Sequence, residues 1–230
     1  TKRIAIVEVV TIEDFRGKAL KAIDMYLKTP IDDRKPCMFV LDSLGMLSTE
    51  KEIRDALDDK LVRDMTKSQL VKGAFRMLTL KLGQANVPLI VTNHTYDVIG
   101  AYVPTKEMGG GSGLKYAAST IIYLSKSKEK DGKEVIGNII KAKTVKSRLS
   151  KENKQVEIRL FYDERGLDKY YGLLELGEIG GLWKNVAGRY EIDGKKVYAK
   201  AVYKEPEKYF TPEVMQALDE IAQKEFSYGN

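Results

Sequence analysis

VPLIVTNHTYDVIGAYVPTKEMGGGSG, residues Val87 to Gly113, joins an apolar run to a polar loop and a glycine string. Leu89-Ile90-Val91 is a short apolar run with the composition of a buried strand. Thr92-Asn93-His94 follows at its end, where open α/β sheets take their ligands in the crevice beyond the carboxyl ends of strands. A polar loop carrying Tyr96 and Tyr102 comes next and closes on Gly109-Gly110-Gly111-Ser112-Gly113. Leu114-Lys115-Tyr116-Ala117-Ala118 then reads as a helix. A strand end, a loop and a glycine-rich helix start thus share one segment.

Upstream, Lys2 to Val10 holds Ile4, Ala5, Ile6, Val7, Val9 and Val10, a β-branched density that predicts a buried strand. Thr11 with Asp14 resembles a helix N-cap and its acidic partner. Phe15, Ala19, Ala22, Ile23 and Tyr26 mark one helical face, which Thr29-Pro30 ends. Cys37 to Leu41 is the next strand, with Asp42-Ser43 at its C-terminal end. Glu50 to Lys60 is charged and only weakly periodic. Val71, Ala74, Phe75, Leu78 and Leu82 fall at i, i+3, i+4, i+7 and i+11, so they predict a helix with Lys72 and Arg76 on its more polar side.

Downstream, Ser119 to Ser125 is a strand, Asp131-Gly132 a hairpin turn, Ile139 to Leu149 the return strand and Gln155 to Tyr162 a third strand. Strand–helix units come first and antiparallel strands last. The expected fold is α/β, a mostly parallel sheet with an antiparallel extension. From about Lys169 the composition shifts to Gly172, Gly177, Gly180, Gly181 and Trp183, then a hairpin at Asp193-Gly194. A final helix lies within Pro206 to Phe226, capped by Thr211 with Pro212 at its first position. The expected organisation is a core over 1–168 and a small α/β C-terminal domain over 169–230.

The chain has 230 residues and is 43% hydrophobic, enough to bury a core and carry a smaller appended domain. Its 39 Lys+Arg against 33 Asp+Glu give +6, which is compatible with a polyanionic partner without requiring one. The single cysteine, Cys37, excludes an internal disulfide framework and fits a reducing compartment. No run approaches the ~20 apolar residues of a membrane span, and no signal-peptide pattern is visible. The chain opens on Thr1 directly into a strand-like segment, and is expected to be the back portion of something longer.

Asp42, at a strand end, is placed either to hold Mg²⁺ through water beside a phosphate or to cap the following turn. His94 is the only histidine. Its imidazole can donate to a γ-phosphate and report nucleotide state to the loop behind it, or serve as a structural residue. The glycine string offers closely spaced backbone N–H groups, an anion-binding nest followed by Lys115; the alternative is a flexible linker. No G-x-x-x-x-G-K-[ST] occurs in the sequence. Lys146 and Arg148, two apart on an expected strand, project to one face, where they face an anion or solvent. Lys72 and Arg76, one helical turn apart, pose the same choice. Tyr96 and Tyr102 can stack on or wedge between bases, or simply be exposed loop tyrosines.

FVLDSLG (Phe39 to Gly45), DALDDKLVRDMT (Asp55 to Thr66), NHTY (Asn93 to Tyr96), MGGGSGLKYAAS (Met108 to Ser119), VKSR (Val145 to Arg148) and YYGLLELG (Tyr170 to Gly177) together resemble the RecA family of DNA strand-exchange ATPases. His94, and arginine rather than lysine at Arg148, fit its bacteriophage branch. The resemblance implies a RecA-type ATPase core whose subunits form a helical filament on single-stranded DNA. ATP and Mg²⁺ would lie between neighbours, and double-stranded DNA would be the pairing partner in homologous recombination, repair and recombination-dependent replication. It also implies single-strand-binding and mediator or loader proteins as partners, no membrane, and a cytoplasmic location, in an infected bacterial cell if phage-encoded.

By the same resemblance Asp42 is the magnesium-site acid, with Ser43 its neighbour and Asn93 beside the nucleotide. His94 stands where bacterial RecA has the glutamine that couples γ-phosphate to the second DNA-binding loop. Met108 to Gly113 closes that loop, with Gly110, Gly111 and Ser112 contacting DNA phosphates; Gly109 and Lys115, from the nest reading, join the expected DNA-binding set. Asp55 to Thr66 lies in or near the first DNA-binding loop, with Arg76 on the helix behind. Lys146 and Arg148 reach the next subunit's ATP, and Tyr162 lies near the adenine. His94, Lys146 and Arg148 are the expected catalytic set. The P-loop and catalytic glutamate of the family would lie upstream of Thr1, so this chain is not expected to hydrolyse ATP by itself. The segment Tyr96 to Met108 is expected to take its order from DNA. The rival readings are a non-hydrolysing recombinase-like DNA-binding accessory and a RecA-fold helicase-type ATPase, which explains the glycine-closed loop poorly.

Overall fold

Thr11 ends an extended lead-in and caps helix α1 (Ile12–Lys28), its hydroxyl accepting a hydrogen bond from the Asp14 amide at 3.1 Å. The computed structural model describes residues 3–60, 65–98, 100 and 106–228, which fall in two units, Thr1–Ala118 and Ser119–Asn230. In the first, α1 buries Phe15, Ala19 and Ile23 as its spacing predicts, but Ala22 is exposed and Tyr26 half-buried. Strands β1 (Phe39–Leu41) and β2 (Leu89–Val91) pair in parallel, Leu41 opposite Val91. Between them lie α2 (Glu50–Leu57) and α3 (Lys67–Ala85).

No apolar stripe marks α2, and the helix buries none of its residues. It forms because Thr49 and Glu52 close a capping box, and Glu52 also pairs with Lys67 at 3.2 Å. Helix α3 buries all five positions of its predicted stripe and packs Phe75 against Phe15, ring centres 6.2 Å apart. The nearly complete burial of Ile12, Ile23, Val71 and Leu78, worth about 1.5–3 kcal/mol per side chain, identifies the α1–α3 interface as the centre of this core. Strands β3 (Thr95–Asp97) and β4 (Lys106–Met108) make a short antiparallel ladder, followed by α4 (Gly111–Ala117).

The strand expected over Lys2 to Val10 does not form. Ile4, Ile6, Val7 and Val10 are exposed; Glu8 O accepts from Lys18 Nζ at 2.7 Å and Val10 O from the Ser48 amide at 3.1 Å. β-branched residues favour a pleated surface that a neighbouring strand must supply, and none of the described strands lies beside Ile4–Val9.

The second unit carries β5 (Thr120–Asp131), β6 (Glu134–Ser147) and β7 (Gln155–Phe161), antiparallel in that order, with the turn at Gly132 where the sequence marks it. A register shift lies between Ile121 and Ile122, and β6 stops at Ser147, short of the expected Leu149. Then follow α5 (Leu173–Ile179), a small sheet of β8 (Lys184–Val186), β9 (Arg189–Ile192) and β10 (Lys195–Tyr198), and helices α6 (Ala199–Lys204), α7 (Pro206–Tyr209) and α8 (Pro212–Phe226). Asp193 and Gly194 both take positive φ, 50° and 74°, the conformation a tight hairpin needs. Thr211 caps α8 as expected.

Residues 170–218 have a core of their own around Leu174, Trp183, Val202, Phe210 and Leu218. Arg159 of β7 ties them to the sheet. Its guanidinium donates to Asp168 at 2.6 and 3.0 Å and lies 4.6 Å from the Tyr171 ring centre and 5.0 Å from that of Tyr203. The fold is α/β. Among the described residues the first unit holds the parallel ladder β1–β2, and the second the three-stranded antiparallel sheet β5–β6–β7.

Candidate functional site

Parallel pairing of β1 and β2 sets two strand ends side by side. Asp42 follows one and Thr92 the other, and the Thr92 hydroxyl donates to Asp42 Oδ1 at 2.6 Å. The backbone fixes this junction further: Thr92 N donates to Leu41 O and Leu44 N to Thr92 O, both at 3.0 Å. Asp42 and Thr92 are exposed and Ser43 is half-buried; the Asp42–Ser43 peptide is cis. Among the described residues no three His, Cys, Asp or Glu side chains are grouped to hold a metal. One exposed carboxylate suits Mg²⁺ shared with phosphate oxygens and water, the usual arrangement for that ion, and does not suit an all-protein cage.

The imidazole of His94 does not enter the core. The residue is exposed, and its ring lies against Gly45 in the 3-10 turn Leu44–Met46, where a Cβ on Gly45 would come 2.6 Å from His94 Cδ2. Asn93 holds the strand end to the glycine string: its Nδ2 donates to Gly109 O at 2.8 Å, while its Oδ1 accepts from His94 N at 2.9 Å. Gly109 N returns a bond to His94 O at 3.1 Å. Tyr96, 58% exposed, lies over the same glycine, its Cε2 3.2 Å from where a Gly109 Cβ would stand.

The glycine string is structured. Gly110 and Gly111 take φ of 91° and 71° to turn the chain into α4. Gly113 lets α4 approach α3 so closely that a Cβ there would fall 2.5 Å from Lys72 Cβ and 2.9 Å from Lys72 Cα. The flexible-linker alternative therefore fails. Lys72, Arg76, Ser112 and Lys115 are all exposed, on these two contacting helices. Together with Tyr96 they offer cations, N–H donors and an aromatic face to an extended polyanion.

Tyr96, Asp97 and Lys106 to Met108 do not await a ligand for order: they are paired within the chain, Tyr96 opposite Glu107 and Asp97 opposite Lys106. Tyr102 lies outside the described residues, as do 61–64 of the Asp55 to Thr66 segment. Asp55 belongs to α2, where it pairs with Lys51 at 2.7 Å.

In the second unit, Lys146 is half-buried in β6 opposite Ile121, and exposed Arg148 lies past the strand end, its amide donating to Ser119 O at 3.0 Å. The alternation argument for two cations on one face holds only within a regular strand. Arg148 is instead carried by a turn that Ser147 organises, its Oγ accepting from the Leu149 and Ser150 amides at 3.1 and 2.9 Å. The S-x-x-S spacing of Ser147 and Ser150 was the sequence signal for that turn. Tyr162 is 61% exposed and its hydroxyl donates to Asn138 Oδ1 at 3.2 Å. Sequence reasoning also missed Thr92, which orients Asp42, and assigned no role to Gly45.

The sequence matches the RecA N-terminal domain family over residues 8–168. It is 34% identical over 190 residues to the recombination and repair protein of Enterobacteria phage T4, covering 82% of this chain and 47% of that protein. Protein RecA of Desulforapulum autotrophicum is 30% identical over 190 residues, 82% of this chain and 53% of its own. Protein RecA of Corynebacterium urealyticum is 28% identical over 225 residues, 96% and 58% respectively. The chain spans about half the length of the curated relatives it matches. Among the described residues no helix is long and apolar enough to cross a membrane.

Proposed function

The chain belongs to the RecA family, and from that premise we propose that the intact protein is an ATP-dependent DNA strand-exchange recombinase of homologous recombination, repair and recombination-dependent replication. The observation that carries this reading is the pair of hydrogen bonds between Asn93-His94 and Gly109. They join the end of β2, which bears the exposed imidazole and is bonded to Asp42 through Thr92, directly to a glycine-built, cation-flanked helix start.

ATP supplies the γ-phosphate and Mg²⁺ its charge. Asp42, held by the Thr92 hydroxyl, would hold Mg²⁺ through water, with Ser43 beside it. His94 donates to the γ-phosphate and Asn93 keeps that backbone in register. Lys146 and Arg148 of a neighbouring copy neutralise the charge that develops on the phosphates, and Tyr162 lies against the adenine. Filament contacts between copies follow from this sharing. Single-stranded DNA lies on Gly109 to Ser112, Lys115, Lys72 and Arg76, with Tyr96 and Tyr102 against the bases. Double-stranded DNA, single-strand-binding proteins and mediator or loader proteins complete the set of partners.

Replacing Lys146 with Ala in the intact protein should abolish DNA-stimulated ATP hydrolysis while leaving nucleotide binding to a single subunit in place. Turnover that survived the substitution would remove the trans role. DNA binding with no hydrolysis in the unaltered intact protein would favour the accessory reading.

A further inference from the structure

Gly45 sits in a turn that does not need a glycine. Its φ is outside the left-handed region, unlike Gly110 or Gly111. The turn is already anchored, by Leu44 at 3% and Leu47 at 5% exposure and by the Leu44 amide bond to Thr92 O. Neither the core nor the backbone fills the space a side chain would occupy. The nearest atoms to a Gly45 Cβ are His94 Cδ2 at 2.6 Å, His94 Cγ at 3.5 Å and Asn93 Oδ1 at 3.5 Å.

We infer that Gly45 is a positioning residue: its missing side chain is the seat on which the imidazole of His94 rests, at the strand end that carries Asp42. The inference deepens the proposed recombinase mechanism and rests on it for its functional part. A methyl at residue 45 would force the ring back by about 1 Å to reach ordinary carbon–carbon separation. The same methyl would meet Asn93 Oδ1 only at ordinary contact distance, 3.5 Å, so the displacement falls on the ring. A displaced ring would loosen the link between nucleotide and glycine string, although Gly45 touches neither ligand.

The test is Gly45→Ala, which leaves the backbone unstrained. His94 is the only histidine, so its ring resonances report the seat without ambiguity. In the unaltered chain the His94 Hδ2 proton should show a nuclear Overhauser contact to the Gly45 Hα protons, and Gly45→Ala should shift the ring signals. In the intact protein, single-stranded DNA affinity with a slowly hydrolysed ATP analogue should exceed that with ADP by about tenfold or more, an ordinary allosteric coupling. Gly45→Ala should remove most of that ratio, as His94→Ala should. Adding His94→Gln to Gly45→Ala should restore it, since an unbranched amide can turn away from the methyl and still donate.

Ring signals and contacts unchanged in Gly45→Ala would overturn the seat, whatever the mechanism. A moved ring with the coupling ratio intact, in a protein whose ratio His94→Ala abolishes, would overturn the positioning role. If His94→Ala itself left the ratio intact, the recombinase mechanism would fail and the functional part of the inference with it.

Discussion

Gly113 and Gly73 are both helical glycines, and replacing each by alanine should have opposite effects. Around Gly73 nothing lies within 4 Å of an added Cβ; the change removes backbone freedom from the unfolded chain and should stabilise by about 0.5–1 kcal/mol. At Gly113 the added carbon meets Lys72 Cβ at 2.5 Å and Lys72 Cα at 2.9 Å. Carbons in ordinary contact are about 3.5–4.0 Å apart, so α4 must withdraw from α3 by about 1 Å. A rotamer change cannot relieve a collision with a backbone atom, and an overlap of this kind costs about 2 kcal/mol. At roughly 2–4 °C per kcal/mol for a chain of this size, the midpoint should fall about 4–8 °C for Gly113→Ala. For Gly73→Ala it should rise by about 1–4 °C. Thermal unfolding by circular dichroism, with hydrogen exchange of the α3 amides to localise the effect, measures both. Equal stabilisation by the two alanines would show that α4 does not pack on α3 as described.

The proposed DNA surface predicts a salt law. Each phosphate contact to single strands contributes about −0.7 to the slope of log K against log salt, so Lys72→Ala and Arg76→Ala should each flatten the slope by about that amount. A weaker affinity with an unaltered slope would mean that these cations act through structure. Alkaline pH should undo the second unit: burial, followed by the charge of Glu157, pushes the Tyr171 phenol up to about 12, and burial raises Tyr203 as well. Unfolded, both phenols ionise near 10. Above that pH the folded chain holds protons the unfolded chain has lost, so stability is full below pH 10 and falls as pH rises toward 12. Tyrosinate absorbance should show delayed ionisation accompanied by loss of structure; early ionisation of Tyr171 in a folded chain would contradict the burial argument.

What the sequence disclosed divides along physical lines. The stripes of α1 and α3 were legible because burial repeats with the helical period, and the turns at Gly132 and Asp193-Gly194 because they need positive φ. Lys2 to Val10 misled because β-branched composition records a preference for a neighbour without saying whether one is there. Helix α2 escaped because its capping box decides it, while its stripe is empty. Asp42, Asn93, His94 and the glycine string could be recognised as strand ends and a helix start. Gly45 could not, since a glycine kept for another residue's ring has no local signature. Arg148 was put on a strand because a register shift and a serine-built turn do not alter the spacing of letters.

DNA affinity as a function of bound nucleotide tests the central idea most directly. With single-stranded DNA and the intact protein, the ratio of dissociation constants in ADP and in a slowly hydrolysed ATP analogue should be about tenfold or larger. His94→Ala should bring it close to one while leaving binding in ADP unchanged. A ratio that survives the loss of the imidazole would contradict the account.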